Sequence, residues 1–225
     1  MERLIDIRKV YKIYNRGENE VRALDGITLS IQEGEFVAIT GHSGSGKSTL
    51  MNILGCLDCP DEGSYVLCRH DVSKLSDNKL SQIRNCMIGF IFQSFHLISS
   101  LSALENVELP LLYRGINKEK RRQMATEALT KVGLYDRMHH KPFEMSGGQQ
   151  QRVAIARAIA GSPPVILADE PTGNLDTKVG DEVIQLLYRL NNEGKTIILI
   201  THDREIAAKA ARMIKIIDGK IVEDM

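Results

Sequence analysis

The chain contains a glycine-rich segment of the kind that binds phosphate groups. Residues 41–48 read Gly-His-Ser-Gly-Ser-Gly-Lys-Ser and fit G-x-x-x-x-G-K-S/T, a pattern that binds nucleoside triphosphates when it joins a strand to a helix. Glycines let successive backbone N–H groups point at phosphate oxygens, and the following helix adds its positive end. We expect Lys47 to reach the β- and γ-phosphates and the Ser48 hydroxyl to ligate Mg²⁺. The predicted phosphate-binding residues are Gly41, His42, Ser43, Gly44, Ser45, Gly46, Lys47, Ser48 and Thr49.

Two adjacent carboxylates follow an apolar segment later in the chain. Residues 165–168 read Val-Ile-Leu-Ala and are followed by Asp169 and Glu170. Neighbouring side chains of a strand point in opposite directions, so the two carboxylates can have different roles. We expect Asp169 to bind Mg²⁺, directly or through water, and Glu170 to polarise the water that attacks the γ-phosphate. A solvated turn is the alternative, and the phosphate-binding segment upstream favours the catalytic interpretation.

A second candidate anion site lies between these two motifs. Ser146 is a good helix N-cap, and Gly147 and Gly148 leave backbone N–H groups unobstructed where the helix begins. An ordinary capped helix is the alternative. One chain that binds one nucleotide would not need two anion sites. Two sites are explained if two copies of the chain associate.

Residues 145–152, Met-Ser-Gly-Gly-Gln-Gln-Gln-Arg, resemble the L-S-G-G-Q signature of ABC transporter nucleotide-binding subunits, with Met145 as an apolar replacement for leucine. The resemblance implies a homodimer that buries two ATP molecules head-to-tail, with the signature of one copy completing the ATP site of the other. The residues that would contact ATP across that interface are Ser146, Gly147, Gly148, Gln149 and Asp176.

Other motifs of the family follow in order. Gln93 comes after residues 88–92 and resembles the Q-loop glutamine, whose side-chain carbonyl reaches Mg²⁺ or the attacking water. His202 resembles the switch histidine that contacts the γ-phosphate. Residues 174–176, Asn-Leu-Asp, resemble the D-loop that crosses the dimer interface, although alanine is commoner where Asn174 stands. The implied catalytic residues are Glu170, His202, Gln93 and Lys47, and the implied Mg²⁺ ligands are Ser48, Gln93 and Asp169.

An aromatic ring from the N-terminal strands stacks on adenine in this family, and the chain offers Tyr11 and Tyr14. We expect residues 9–12 to keep the strand register, which favours Tyr11. Counting back from the phosphate-binding segment favours Tyr14 instead. Tyr11 is the prediction.

Residues 55–58, 103–110 and 171–176 resemble the lipoprotein-release and macrolide-export branch of the family. This implies a partner permease in the cell membrane, with few membrane spans and a large extracytoplasmic domain, and it leaves room for a periplasmic adaptor. We expect a free-standing ATPase subunit that binds the permease through an apolar lip at residues 95–99, unless those residues belong to a core. The alternatives are a regulator that drives a cell-wall hydrolase through its permease, and an ABC ATPase acting on nucleic acid or ribosomes.

The elements that must position these residues alternate between strand and helix. Residues 1–40 read as β-rich, 118–132 and 149–160 as helices, and 165–168 and 196–201 as buried strands. This alternation predicts an α/β fold with a helical insertion. The resemblance implies a P-loop NTPase cassette with a RecA-like core, an N-terminal antiparallel β subdomain and an inserted helical subdomain. We predict one ABC domain over 1–225, with a nucleotide-binding core at about 1–93 and 162–225 and a helical subdomain at about 94–161.

Composition excludes several classes. The 225 residues are 43% hydrophobic and 26% charged, typical of a globular protein, and 29 basic residues balance 29 acidic ones. No global basic field therefore points to nucleic acid. No apolar run approaches a membrane span, so we expect a cytoplasmic protein held at the membrane by its partner. Cys56 and Cys59 form a C-x-x-C, but neither a second ligand pair of matching spacing nor a following helix supports a zinc or redox site.

Overall fold

The computed structural model describes residues 3–15, 17 and 20–225. The strands are β1 (Arg3–Tyr14), β2 (Val21–Gln32), β3 (Phe36–Thr40), β4 (Glu62–Leu67), β5 (His70–Asp71), β6 (Ile88–Phe92), β7 (Val165–Asp169), β8 (Thr196–Ile200), β9 (Arg212–Ile217) and β10 (Lys220–Asp224). The α-helices are α1 (Lys47–Leu54), α2 (Asp77–Met87), α3 (Ala103–Tyr113), α4 (Lys118–Lys131), α5 (Gly147–Ile159), α6 (Thr177–Asn192) and α7 (Arg204–Ala207). Two 3₁₀ turns, Tyr135–Arg137 and Pro142–Glu144, precede α5.

The chain divides into two compact units. The first comprises the described residues up to Arg84 together with Gly194–Met225, and the second comprises Asn85–Glu193. The predicted division into a core at 1–93 and 162–225 and a helical subdomain at 94–161 follows motifs rather than compactness, and it stays a prediction.

The first unit is built from strands of two kinds. An antiparallel sheet has the order β2-β1-β4-β5, and its inner residues Ile5, Ile7 and Leu24 have no exposed surface. In the other set, β3 lies between β9 and β8 and is parallel to both, and β10 is antiparallel to β9. Continuously apolar β3 and β8 are buried along nearly their whole length, as expected for parallel strands covered on both faces.

The second unit combines a parallel strand pair with helices. Strands β6 and β7 pair from Ile88 opposite Val165 to Phe92 opposite Asp169. Helix α5 packs on β6 and on α3, α4 and α6. The predicted helix at 149–160 begins two residues earlier, at Gly147, because Ser146 caps it. No helix of the described ranges has both the length and the apolar character that crossing a bilayer requires.

Candidate functional site

The phosphate-binding segment lies in the first unit, between β3 and α1. Gly46 is the N-cap of α1 in a left-handed conformation, with φ of 103°, and Lys47 is the first residue of the helix. The Lys47 ammonium donates to the carbonyl oxygens of Gly41 and His42, each at 2.8 Å, so its charge is held over the loop. Ser45 is 1% exposed and its Oγ has no hydrogen-bond partner within the described ranges. The loop thus gathers a cation, backbone N–H groups and an unused hydroxyl, which suits a phosphate chain.

A buried tyrosine holds the far end of α1. Tyr65 is 1% exposed and its hydroxyl donates to the Leu54 carbonyl oxygen at 2.8 Å, where α1 ends. Burial raises the pKa of Tyr65 well above its usual value, so the hydroxyl stays protonated and keeps donating. The C-terminal end of the helix behind the phosphate loop is therefore held by a buried hydrogen bond.

The first unit also brings His202 to the edge from which the phosphate loop leaves. Strands β3 and β8 are parallel, with Ile39 opposite Ile200, so the segments after them leave the same edge of the sheet. His202 is exposed and follows Thr201, whose Oγ1 accepts from the Asp203 N–H at 3.0 Å. Contact of His202 with the terminal phosphate stays a prediction.

The expectation that residues 9–12 keep the strand register is wrong. The pairing of β1 with β4 shifts between Arg8 and Tyr11, and its pairing with β2 shifts between Ile7 and Tyr11. Lys9, which lies within this stretch, has a φ of 47°, and the irregularity is a β-bulge. The Tyr11 ring now lies against Gly26 of β2, whereas Tyr14, at the end of β1, is 39% exposed. A ring that stacks on a base must offer a free face, and Tyr14 offers more surface. The choice of Tyr11 stays a prediction, without its register argument.

The second unit gathers the other catalytic candidates. Because Phe92 and Asp169 are opposite each other in parallel strands, Gln93 and Glu170 leave the same edge of that pair. Glu170 has a φ of 45°, a conformation that non-glycine residues rarely adopt and that marks many active sites. Its carbonyl oxygen accepts from the Gly173 N–H at 3.0 Å, which closes a tight turn directly after the two carboxylates.

The signature segment begins α5 with a complete capping box. The Ser146 Oγ accepts from the Gln149 N–H at 3.3 Å, and the Gln149 side chain accepts from the Ser146 N–H at 3.0 Å. Met145 is 7% exposed, which agrees with an apolar replacement for leucine. A Cβ at Gly148 would overlap the Cγ1 of Val179, so only glycine fits where α5 approaches α6. The capping box therefore preorganises the N-terminus of α5.

Asp176 has a role within its own chain. Its Oδ1 accepts from the Val179 N–H at 3.1 Å and caps α6. Contact with ATP of another copy stays a prediction for Asp176, as it does for Ser146, Gly147, Gly148 and Gln149.

Two positioning residues on α5 were missed by sequence reasoning. Gln151 has no exposed surface, and its Nε2 donates to the carbonyl oxygens of Pro171, at 2.6 Å, and Phe92, at 3.3 Å. Arg157 donates to the carbonyl oxygens of Phe95 and His96, both left-handed residues, and burial lowers its pKa. A glutamine on the apolar face of a helix was the available signal for Gln151.

The predicted apolar lip at residues 95–99 is partly exposed. Phe95 and Leu97 are half-buried, and Ile98 is 46% exposed. The four cysteines are free thiols, and burial raises the pKa of Cys56 to about 12. Within the described ranges no group of three potential ligands could hold a metal ion.

Comparison with known proteins identifies the family. The family model described as ABC transporter matches residues 24–173. The chain is 54% identical over 221 residues to the ABC transporter ATP-binding protein YvrO of Bacillus subtilis (strain 168), which covers 98% of this chain and 96% of that protein. It is 53% identical to the macrolide export ATP-binding/permease protein MacB of Hyphomonas neptunium (strain ATCC 15444), over 98% of this chain but only 34% of that protein. A solved dimeric structure of the ATP-binding cassette MJ0796 in a post-hydrolysis state, bound to ADP and Pi, has a TM-score of 0.89 and 47% identity, covering 98% of this chain and 97% of that chain.

The chain belongs to the ABC transporter family, as an ATP-binding cassette of the branch that includes macrolide export. The predicted α/β cassette fold is confirmed, as are ATP binding and the assignment as an ATPase. The chain spans about a third of the length of MacB.

Proposed function

We propose that this ATPase associates with a second copy of itself around two Mg-ATP and drives a partner permease in the cell membrane from its cytoplasmic face. The observation that supports the proposal is that one chain carries two preorganised segments suited to bind anions. One is the loop closed by Lys47, and the other is the N-terminus of α5 capped by Ser146. The dimeric cassette MJ0796, with its bound ADP and Pi, supports an assembly of this kind.

The oxygen donors of the chain fit a magnesium ion. Ser48 offers an exposed hydroxyl in the first turn of α1, Asp169 a carboxylate at the end of β7, and Gln93 an amide oxygen. Mg²⁺ is a hard cation that binds oxygen ligands, usually one or two protein side chains together with phosphate oxygens and water. Bound there, the ion would neutralise negative charge on the phosphates. We propose that Glu170 orients the attacking water, that Lys47 and His202 contact the terminal phosphate, and that Tyr11 stacks on adenine.

The Glu170→Gln variant tests this proposal. It keeps the size of the side chain and removes the charge that polarises water, so we expect ATP binding to persist while hydrolysis falls at least about a hundredfold. Light scattering of this variant with Mg-ATP should show a dimer. With ADP, which lacks the γ-phosphate, it should show a monomer.

Two controls separate the roles. Lys47→Ala should weaken ATP binding itself, and Glu119→Gln, on the exposed first turn of α4, should behave like the wild type. A Glu170→Gln variant that binds Mg-ATP and stays monomeric would contradict the proposed assembly. Near-normal ATP turnover in Glu170→Gln would show that Glu170 does not orient the attacking water.

The residue that stacks on adenine is tested separately. If Tyr14→Ala binds ATP more weakly than Tyr11→Ala does, Tyr11 is not that residue.

We propose that the permease docks on the surface formed by residues 95–99. Ile98 is the most exposed large apolar side chain of this surface, and an exposed apolar patch needs a partner. Charge at this position should therefore disrupt docking without disturbing the ATPase core. The membrane protein encoded by the adjacent gene should copurify with the Glu119→Gln variant and not with Ile98→Glu. If it still copurifies with Ile98→Glu, this surface is not the docking site.

A further inference from the structure

The loops after β6 and β7 are joined by a reciprocal pair of amides. Asn174 Nδ2 donates to the main-chain oxygen of Gln93 at 3.0 Å, and Gln93 Nε2 donates to Asn174 Oδ1 at 3.4 Å. Both residues are exposed. The two strands end side by side, with Phe92 opposite Asp169, so the pair lies where the candidate catalytic residues leave the sheet.

The pair determines which end of the Gln93 amide is available. A main-chain carbonyl oxygen can only accept, so it must face the Nδ2 of Asn174. The Oδ1 of Asn174 then faces Gln93 and can only accept, so it must meet Nε2. The remaining atom of the Gln93 amide is Oε1, which is the atom that a cation or a water proton requires.

The 170–176 loop leaves room for this orientation. A Cβ at Gly173 would lie 2.5 Å from Gln93 Nε2 and 3.0 Å from Gln93 Cδ. A side chain at position 173 would therefore displace the Gln93 amide from this place, and the neighbouring Asn174 supplies its hydrogen bonds. The Gln93 side chain is seated on this loop by shape as well as by hydrogen bonding.

We propose that Asn174 is a positioning residue for ATP hydrolysis, which fixes the amide of Gln93 so that Oε1 faces the cation or the attacking water. The inference rests on the proposed role of Gln93. Without Asn174, the amide can rotate and flip, and the wrong end is presented for part of the time. The movement of one loop is thereby transmitted to the side chain of the other.

The test compares Asn174→Ala and Asn174→Asp with wild type, alone and combined with Gln93→Ala. Position 174 is exposed, so both variants should fold. Aspartate keeps an acceptor for Gln93 Nε2 but cannot donate to the Gln93 carbonyl oxygen, so it should not substitute for asparagine. We expect Asn174→Ala and Asn174→Asp each to lower kcat about three- to tenfold, which is the effect of losing one or two exposed hydrogen bonds. The KM for ATP should be nearly unchanged. Lys178→Ala, an exposed change on the next helix, is the matched control.

A second readout is independent of activity. The side-chain amide NMR signals of Gln93, identified by their loss in Gln93→Ala, should report a restricted amide in wild type and a more mobile one in both Asn174 variants. In the Gln93→Ala background, Asn174→Ala should cause no further loss of kcat.

Three results would overturn the inference. These are wild-type kcat in Asn174→Asp, unchanged mobility of the Gln93 amide, or the same loss of kcat from Asn174→Ala with and without Gln93. If Gln93→Ala itself keeps wild-type kcat, the proposed role of Gln93 fails and the inference fails with it. A loss in Gln93→Ala with none in Asn174→Ala contradicts the inference alone.

Discussion

Replacing Gln151 should lower both the stability and the turnover of this ATPase. Its Nε2 donates to the Pro171 oxygen at 2.6 Å and to the Phe92 oxygen at 3.3 Å, and the residue has no exposed surface. Gln151→Met preserves an unbranched side chain of similar length and removes both hydrogen bonds.

The expected loss can be worked from these contacts. Leaving the buried Pro171 oxygen without its donor costs about 1–3 kcal/mol, and the longer bond to Phe92 adds at most about 1 kcal/mol. The Oε1 of Gln151 is itself buried without a partner among the described residues, so its removal returns about 1 kcal/mol. The net loss is about 2 kcal/mol, which for a chain of 225 residues lowers Tm by about 4–8 °C.

Calorimetry without nucleotide measures this change, and Gln123→Met is the matched control. Gln123 is exposed on α4, so the same substitution should alter stability by less than about 0.5 kcal/mol. Because Phe92 precedes Gln93 and Pro171 follows Glu170, we also expect kcat of Gln151→Met to fall on the order of tenfold. Equal melting temperatures for Gln151→Met and Gln123→Met would show that the two hydrogen bonds of Gln151 do not stabilise the fold.

Three further changes test other parts of the structure. In Gly148→Ala the new Cβ overlaps Val179, so ATPase activity should fall and the double variant with Val179→Ala should recover much of it; unchanged activity in Gly148→Ala would deny the close approach. Arg212 donates to the Asp224 carboxylate at 2.6 and 2.7 Å and lowers the pKa of that carboxyl group. The pair therefore stabilises the fold fully above the unfolded-state pKa of Asp224, about 3.9. This stabilisation is lost as pH falls through the lower folded-state pKa. Thermal melts of Asp224→Asn and wild type should therefore differ at about pH 7 and converge as pH falls through the lowered folded pKa of Asp224, and a constant difference would exclude the linkage. Because burial raises the pKa of Cys56 to about 12, iodoacetamide should modify Cys56 only after unfolding, and mass spectrometry that finds it modified in the native protein would contradict its burial.

Several parts of the candidate site could be predicted because their residues are neighbours in sequence. The loop that Lys47 closes is one contiguous segment, and the capping box of α5 joins Ser146 to Gln149 within one helical turn. The parallel arrangement of β3 and β8 follows from their continuous apolar character, and it places His202 at the edge that the loop leaves. Hydrophobic periodicity, helix capping and turn formation depend on residues close in the chain, so they can be predicted from the sequence.

Other parts depend on contacts between distant residues. The sequence predicts that apolar and polar residues alternate regularly through Lys9, but β1 has a bulge there. The Lys9 N–H donates to the Thr28 hydroxyl, and the strand shifts its register. The exposure of Ile98 beside half-buried Phe95 likewise depends on which helices pack nearby.

By itself the sequence determined the family, the phosphate loop, the two carboxylates and the capped start of α5, since each is a short pattern whose chemistry lies in adjacent residues. The tertiary structure alone reveals the hydrogen bonds between Asn174 and Gln93 and those by which Gln151 links the end of β6 to the segment after β7. The physical reason is that a hydrogen bond between residues far apart in the chain depends on the register and packing of whole elements, which no single segment encodes.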